Sequence, residues 1–553
     1  MKRDVFTFVV GGRAGQGVKK AGAVASRLFA RMGRRVFQMD DYQSLIRGGH
    51  NFSVVSTCRE QITSHYMKAD LVVALDTRSR DLHSADLAKN GLMICDAEAD
   101  EDDKGKGCGI PIMAKAKEYP NPELRSGVAA VAVLAAGLGM DKEPMHEILA
   151  EEYARETEHN IAFADAIYDL VQDRVGGKFK LKEGDKELPL LYGNEAIGLG
   201  AAAGGLDVYI AYPMTPSSSL LHFLAAHDRD LGVAVLHPEN EIAVANMAIG
   251  SAFAGARTMV GSSGGGFALM EETFSLAGMT EAPLLCVLSS RPGPSTGVPT
   301  YTGQGDLWFA INQGHGEFPR VVASPGSVEE AFYLTAELLS MVWRFQTPAI
   351  LLTDKHLSES KMTVDIEVDR ATWPEFTLHE GGEYARYSDA EDGVSPLLFP
   401  PSYELIKWDS YEHDEAGITT EDPDTIVKMQ DKRRRKGDAL ATHLKGVSTV
   451  NVFGEGEPAI FTYGSTTMSV LEALRAGGIE ARVVQPVFLE PLPVWELKKH
   501  KKGKGLVIEL SSTGQFARLL EERAGIRAEH VITKYDGRPF DPEELAKRIK
   551  GVL

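Results

Sequence analysis

A threonine stands between two prolines in "VYIAYPMTPSSSLL" (208–221), where an apolar β-type run ends and three serines follow. Pro213 and Pro216 each lack a backbone donor and fix φ, so the chain leaves the strand along one path. Thr215 would then offer a pre-oriented hydroxyl with little entropy left to lose on binding. The serines suit a helix N-cap, which would aim the helix's positive end at the same place. The same residues also fit a capped helix that merely follows a strand. Downstream, "HPENEIAVANMAIGSAFAG" (237–255) begins with Glu239 and Glu241 ahead of small, apolar helix positions. One acid can serve the helix terminus. A second carboxyl in apolar surroundings would have a raised pKa and bond strongly to a ring nitrogen, unless both acids simply face solvent. Two glycine-rich, hydroxyl-bearing stretches come next, "GSSGGGFALMEE" (261–272) and "SSRPGPSTGVPTYTGQGDL" (289–307). Arg291 in the second is suited to gripping a carboxylate with two parallel hydrogen bonds.

A second kind of chemistry is expected near the N-terminus. In "GGRAGQGV", Gly12, Gly15 and Gly17 precede a helix, and the backbone N–H groups of such a turn can hold a phosphate or another anion. The spacing is not G-x-G-x-x-G, although Asp40 and Asp41 lie about where a ribose-binding acid would be. A turn that needs glycine dihedrals and binds nothing fits as well. "SLIRGGHNFS" (44–53) supplies a second cationic turn, with Arg47, Gly48, Gly49 and His50. Two such turns in one unit favour a phosphorylated ligand.

These residues need strands and helices to hold them, and the pattern supplies α/β units. The chain of 553 residues is too long for one core, and roughly three or four domains are expected. Residues 1–177 alternate strand and helix as a parallel α/β unit does; a charged hinge, 176–189, comes next. Residues 190–360 repeat the pattern as a doubly wound sheet. The polar stretch 361–445 reads as an extended surface connector, although Trp373, Phe376, Tyr403 and Trp408 suggest that parts pack down. Residues 446–553 form a small α/β domain. The 43% apolar content is that of a soluble globular protein, no segment reaches the roughly 18–20 apolar residues of a membrane span, and no signal peptide precedes the first strand. The four cysteines are scattered, which speaks for a reducing, cytoplasmic setting and against a disulfide framework, a zinc ribbon or a ferredoxin-type cluster. A net charge of -19 argues against nucleic-acid binding, and "KRRRK" (432–436) reads as a solvated linker segment.

Seven motifs in order, "YPMTPSSS", "ENEIAVANMAIGSAFAGAR", "SSGGGFALMEE", "RPGPSTGVPT", "GQGDL", "GHGEFPR" and "TDKHLSES", resemble the α subunit of 2-oxoacid:ferredoxin oxidoreductases. The front region, with "GRAGQGV" and "IRGGHN", resembles that family's γ subunit, so the chain is similar to a fused γ–α form of the 2-oxoglutarate synthase type. Ala14 departs from the γ pattern, which usually has glycine there. The resemblance implies a Rossmann-like γ domain, a thiamine-diphosphate-binding (pyrimidine-type) domain and a transketolase C-terminal-like domain. It implies that Thr215 hydrogen-bonds the 2-oxoacid, that Glu241 rather than Glu239 contacts the aminopyrimidine of thiamine diphosphate, that Arg291 grips the substrate carboxylate, and that Tyr301 lines the substrate site. Gly12, Gly15, Gly17, Arg47, Gly48 and Gly49 would help hold coenzyme A. A partner β subunit would carry the diphosphate-binding motif, Mg²⁺ and a [4Fe–4S] cluster, the pair forming an (αβ)2 assembly that is active only together. The implied reaction is coenzyme A-dependent oxidative decarboxylation with electrons to ferredoxin, or the reverse reductive carboxylation. 2-Oxoglutarate is the favoured substrate, ahead of pyruvate and branched-chain 2-oxoacids. An NAD(P)-dependent dehydrogenase built on the N-terminal glycine loop is the alternative from another class.

Overall fold

The computed structural model describes residues 4–44, 49–97, 109–501 and 505–553. Arg47 and Gly48 therefore lie outside the described residues. Among those described, the strands form an eight-stranded, a seven-stranded and a five-stranded sheet, and no helix is long and apolar enough to cross a membrane.

The first sheet is mixed rather than parallel as expected. Phe6–Gly12 pairs parallel with Ala69–Ala74 but antiparallel with Asn51–Cys58, which in turn pairs antiparallel with Arg35–Asp41. The reason is connection length. Only the short stretch 42–50 joins the last two strands, whereas a parallel crossover needs a dozen or more residues. The sheet also extends past the expected hinge: Lys361–Thr363 pairs with Arg35–Asp41 on one side and with Leu190–Tyr192 on the other.

The second sheet positions the chemistry. Ala234–Leu236, Val208–Ala211, Thr258–Ser262, Leu284–Ser290 and Pro348–Asp354 are neighbours in that order, and every adjacent pair is parallel. Apart from the exposed edge strand Ala234–Leu236, these strands are buried on both faces and read as continuous apolar runs such as "LLCVLSS". The C-terminal unit, whose own sheet is built around Ala459–Phe461 and Gly505–Glu509, also supplies Phe488–Glu490 to the edge of the second sheet, antiparallel to Val321–Ala323.

The stretch expected as an extended connector starts with the strand Lys361–Thr363 and ends with a 22-residue helix, Pro423–Leu444. Phe376 packs 5.0 Å from Trp343, and Trp408 lies 5.4 Å from Phe253. Tyr403, by contrast, is fully exposed and Trp373 largely so. The "KRRRK" run is not a solvated linker. Lys432, Arg433 and Lys436 are buried, because i, i+4 spacing puts both lysines on the inward face of the helix. A second correction concerns sulfur. Cys95 is disulfide-bonded, since spacing along the chain does not decide which thiols meet in space; Cys58 and Cys286 are buried free thiols.

Candidate active site

Four candidate segments meet at one edge of the second sheet. Glu241 follows the strand Ala234–Leu236, Thr215 follows Val208–Ala211, the glycine triplet 264–266 follows Thr258–Ser262, and Arg291 follows Leu284–Ser290. These are carboxyl ends of adjacent parallel strands, the place where open α/β sheets bind ligands.

Glu241 opens the helix Glu241–Phe253, but it is not the cap. Asn240 fills that role, its side chain accepting from the Ala243 N–H at 3.0 Å. Glu241 is 3% exposed and its Oε1 is buried with no hydrogen-bond partner, whereas Glu239 is exposed. A buried carboxylate oxygen without a donor is costly unless something supplies one. It therefore fits a ligand that brings an N–H or a protonated ring nitrogen. The helix Gly264–Phe267 makes room for it: a methyl at Gly266 would collide with Glu241 Oε1 and Ser262 Oγ. Ser262 Oγ also lies 3.9 Å from the Met214 sulfur, one residue before Thr215.

Arg291 donates through Nη1 to the Thr215 carbonyl at 2.7 Å, so the two substrate-site candidates are brought together. Arg291 Nε is buried without a partner, which leaves part of the fork for another acceptor. Burial lowers the Arg291 pKa, opposed by Asp306. Asp306, inside "GQGDL", is a site residue that the sequence did not single out. It accepts from the Ser290 hydroxyl at 2.6 Å, and burial pushes its carboxyl up against the pull of Ser290 and Arg291. The signal available was a lone acid directly after a G-Q-G turn, which is weak. The serines after Thr215 do not cap as expected: Ser217 is the N-cap of Ser218–Ala226 but makes no side-chain cap bond.

Tyr301 belongs to a different set of contacts. Its hydroxyl is 3.2 Å from Arg538 Nη2, in the C-terminal unit, and Arg538 also reaches Asp41 at 3.3 Å. Asp41 is thus engaged by protein, and Asp40 accepts from Ser53 and Gln38. Both of those bonds fall on Oδ1; Asp40 Oδ2 is buried without a hydrogen-bond partner, 3.8 Å from Lys19 Nζ. In the glycine turn, Gly15 and Gly17 have φ of 98° and 72°, conformations that favour glycine. The Arg13 N–H, one of the donors expected to face a ligand, is instead taken by the Gln16 side chain at 2.8 Å.

A paired substitution tests the cradle around Glu241. Gly266→Ala is expected to cost about 1–3 kcal/mol through overpacking and, if the cradle holds the cofactor that the family resemblance implies, to weaken thiamine diphosphate binding. Gly265→Ala, whose methyl would meet nothing closer than 3.8 Å, should be neutral or slightly stabilising. Thermal melts and calorimetric titration of both variants decide it; equal behaviour would remove Gly266 from the site.

The segment that carries these residues falls within a known family. Residues 199–432 match the family described as pyruvate flavodoxin/ferredoxin oxidoreductase, thiamine diphosphate-binding, and residues 7–170 match pyruvate ferredoxin/flavodoxin oxidoreductase. The chain is 29% identical to 2-oxoacid:ferredoxin oxidoreductase 2, subunit alpha, of Aeropyrum pernix, over 99% of this chain and 97% of that one. It is 30% identical to the 2-oxoglutarate synthase subunit KorA of Archaeoglobus fulgidus, covering 66% of this chain and 100% of KorA. It superimposes on the 2-oxoglutarate:ferredoxin oxidoreductase of Magnetococcus marinus, solved with 2-oxoglutarate, coenzyme A and succinyl-CoA bound, with a TM-score of 0.91 at 27% identity over the whole of both chains. With a thiamine-diphosphate-binding segment behind an oxidoreductase segment in one polypeptide, the chain belongs to the 2-oxoacid:ferredoxin oxidoreductase family as an α subunit.

Proposed function

We propose that this subunit binds 2-oxoglutarate and serves its coenzyme A-dependent conversion to succinyl-CoA and CO₂, with electrons passing one at a time to ferredoxin, or the reverse. The observation that carries the reading is the buried, partnerless Glu241 Oε1 beside the Arg291–Thr215 pair. The names of the similar KorA subunit and of the superimposable enzyme support 2-oxoglutarate as the substrate. Glu241 would hold the aminopyrimidine of thiamine diphosphate; when bound, that cofactor supplies the electron sink for decarboxylation. Arg291 would bind the substrate carboxylate through the donors that Thr215 leaves free, and Thr215 would hydrogen-bond the 2-oxo group. Glu241 Oε1 is buried, so a bond made to it is worth more than in solvent. Coenzyme A would lie against the glycine turns of the first unit. A β subunit would complete the site with Mg²⁺ and a [4Fe–4S] cluster in a cytoplasmic (αβ)2 assembly.

The test is co-expression with a β subunit and acceptor reduction with 2-oxoglutarate, pyruvate and branched-chain 2-oxoacids, each with coenzyme A. 2-Oxoglutarate should give the highest kcat/KM; a preference for pyruvate would overturn the substrate assignment. On the same assembly, Thr215→Ala should lose about tenfold to a hundredfold in 2-oxoacid kcat/KM with little change in Tm, because a hydrogen bond in a charged site is worth roughly 1.5–3 kcal/mol. Thr215→Ser should be much milder. An early melt with normal turnover would make the threonine a purely structural residue.

A further inference from the structure

Three units of the chain meet at one guanidinium. Arg538 lies in the loop between the strand His530–Thr533 and the terminal helix Pro542–Val552. That loop is held in place by Asp536, which accepts from the Arg538 N–H at 3.0 Å and from Lys534 Nζ at 2.6 Å. The guanidinium stacks 3.9 Å from the Tyr301 ring centroid, reaches the Tyr301 hydroxyl at 3.2 Å, and sets Nε 3.3 Å from Asp41 Oδ2. Tyr301 sits on the loop that starts at Arg291. Its neighbour Thr302 donates its N–H to the Gly537 carbonyl at 3.0 Å, so this loop is docked backbone to backbone on the Arg538 loop.

Asp41 ends the first unit's strand Arg35–Asp41. The same strand end is pinned twice more by the second unit: Lys355 Nζ donates to the Asp40 carbonyl at 2.6 Å, and the Tyr42 hydroxyl donates to Glu359 at 2.8 Å. The space enclosed by Asp41, Tyr301, Lys355 and Arg538 is a cavity of only about 10 Å³. That is too small for a ligand, so the junction is a contact and not a pocket. Burial pushes the Asp41 carboxyl up, and Arg538 ahead of Lys355 pulls it back.

We infer that Arg538 is a positioning residue that joins the 2-oxoacid loop to the unit expected to hold coenzyme A, so that the two half-reactions are coupled through it. The inference rests on the proposed placement of coenzyme A against the first unit. A planar guanidinium can offer its face to a ring and its edge to a hydroxyl and a carboxylate at once; a lysine offers a point charge. The pair with Asp41 is partly solvent-screened, since the Arg538 side chain is 44% exposed. The coupling therefore comes from geometry more than from charge.

The test uses the complete assembly and the free chain. In the assembly, Arg538→Ala should lower kcat/KM for coenzyme A about tenfold while decarboxylation measured without coenzyme A is unchanged; Arg538→Lys should fall between. In the free chain, amide hydrogen exchange should speed up in Arg538→Ala at both 40–44 and 298–302. A double-mutant cycle with Asp41→Asn should be non-additive. Exchange confined to 534–540, or an equal loss in both half-reactions with a lower Tm, would overturn the coupling role. A wild-type assembly without coenzyme A-dependent turnover would instead overturn the functional reading, and the exchange pattern would still report on the junction.

Discussion

Glu241→Gln is expected to keep the fold and lose about 10²–10⁴-fold in 2-oxoacid-dependent turnover, the range typical of an acid–base group. The substitution preserves volume and removes only the charge and one acceptor. Stability should change little, because Asn240 already caps the helix and a first-turn acid adds only about 0.3–1 kcal/mol through the helix dipole. The functional loss should be large because Oε1 is buried and meets no donor from the protein. A glutamine amide there can turn its NH₂ group toward a ring nitrogen that needs an acceptor or a proton. Two measurements check it. Acceptor reduction by the assembly reports turnover, and calorimetric titration with thiamine diphosphate reports whether the cofactor still binds. Glu239→Gln, at an exposed position, should match wild type in both. Near-normal turnover of Glu241→Gln, or a comparable loss in Glu239→Gln, would end the assignment.

Much of this site was legible in the sequence, for a physical reason. Parallel strands buried on both faces leave continuous apolar runs, and the residues just after each run must sit at the sheet's carboxyl edge. Thr215, Glu241 and Arg291 could therefore be placed near one another before any contact was known. Which of Glu239 and Glu241 is buried was not legible from local chemistry, since either acid can serve a helix terminus; the structure buries Glu241, leaves Glu239 exposed and gives the cap to Asn240. Tyr301 and Arg538 are separated by 237 residues, and no local pattern announces a stacking partner at that distance. The mixed first sheet was missed because apolar runs mark strands without giving their direction. The buried face of Pro423–Leu444 was missed for the opposite reason. Five consecutive basic residues suggest solvent, and only the 3.6-residue period shows that Lys432 and Lys436 share a face that Arg434 does not.

That face leads to the second large effect. Glu281→Gln is expected to destabilise the fold by about 3–5 kcal/mol, the cost of breaking a buried ion pair from one side. Glu281 caps the helix Glu271–Thr280 with φ of 52°, and its side chain is completely buried. Lys432 Nζ lies 2.9 Å from Oε1, and Lys436 Nζ pairs with Oε2. Arg386 donates to the Thr280 and Glu281 carbonyls at 3.2 and 2.8 Å, and Lys436 to the Gln346 carbonyl at 3.0 Å. Two buried lysines thus share one carboxylate, and Arg386 and Lys436 sit at the carbonyl ends of the helices Glu271–Thr280 and Val328–Phe345, a favourable place for positive charge. The carboxylate is held well below its usual range, because Lys432 and Lys436 outweigh its burial. Without it, the cations would have only dipoles for company. The cations already outnumber the carboxylate, and burial lowers Lys436 to about 7. A lysine depressed in the folded state binds fewer protons there than in the unfolded chain between about pH 7 and 10.5, so its contribution makes stability rise with pH across that window. Lys436→Met should flatten this rise and cost far less than Glu281→Gln at pH 7, since Lys432 remains on the carboxylate. Denaturant melts of the three proteins at pH 7 and pH 9.5 measure both effects. A loss below about 1 kcal/mol in Glu281→Gln would put the cluster among solvent-screened surface pairs. An unaltered pH slope in Lys436→Met would assign the titration to another group.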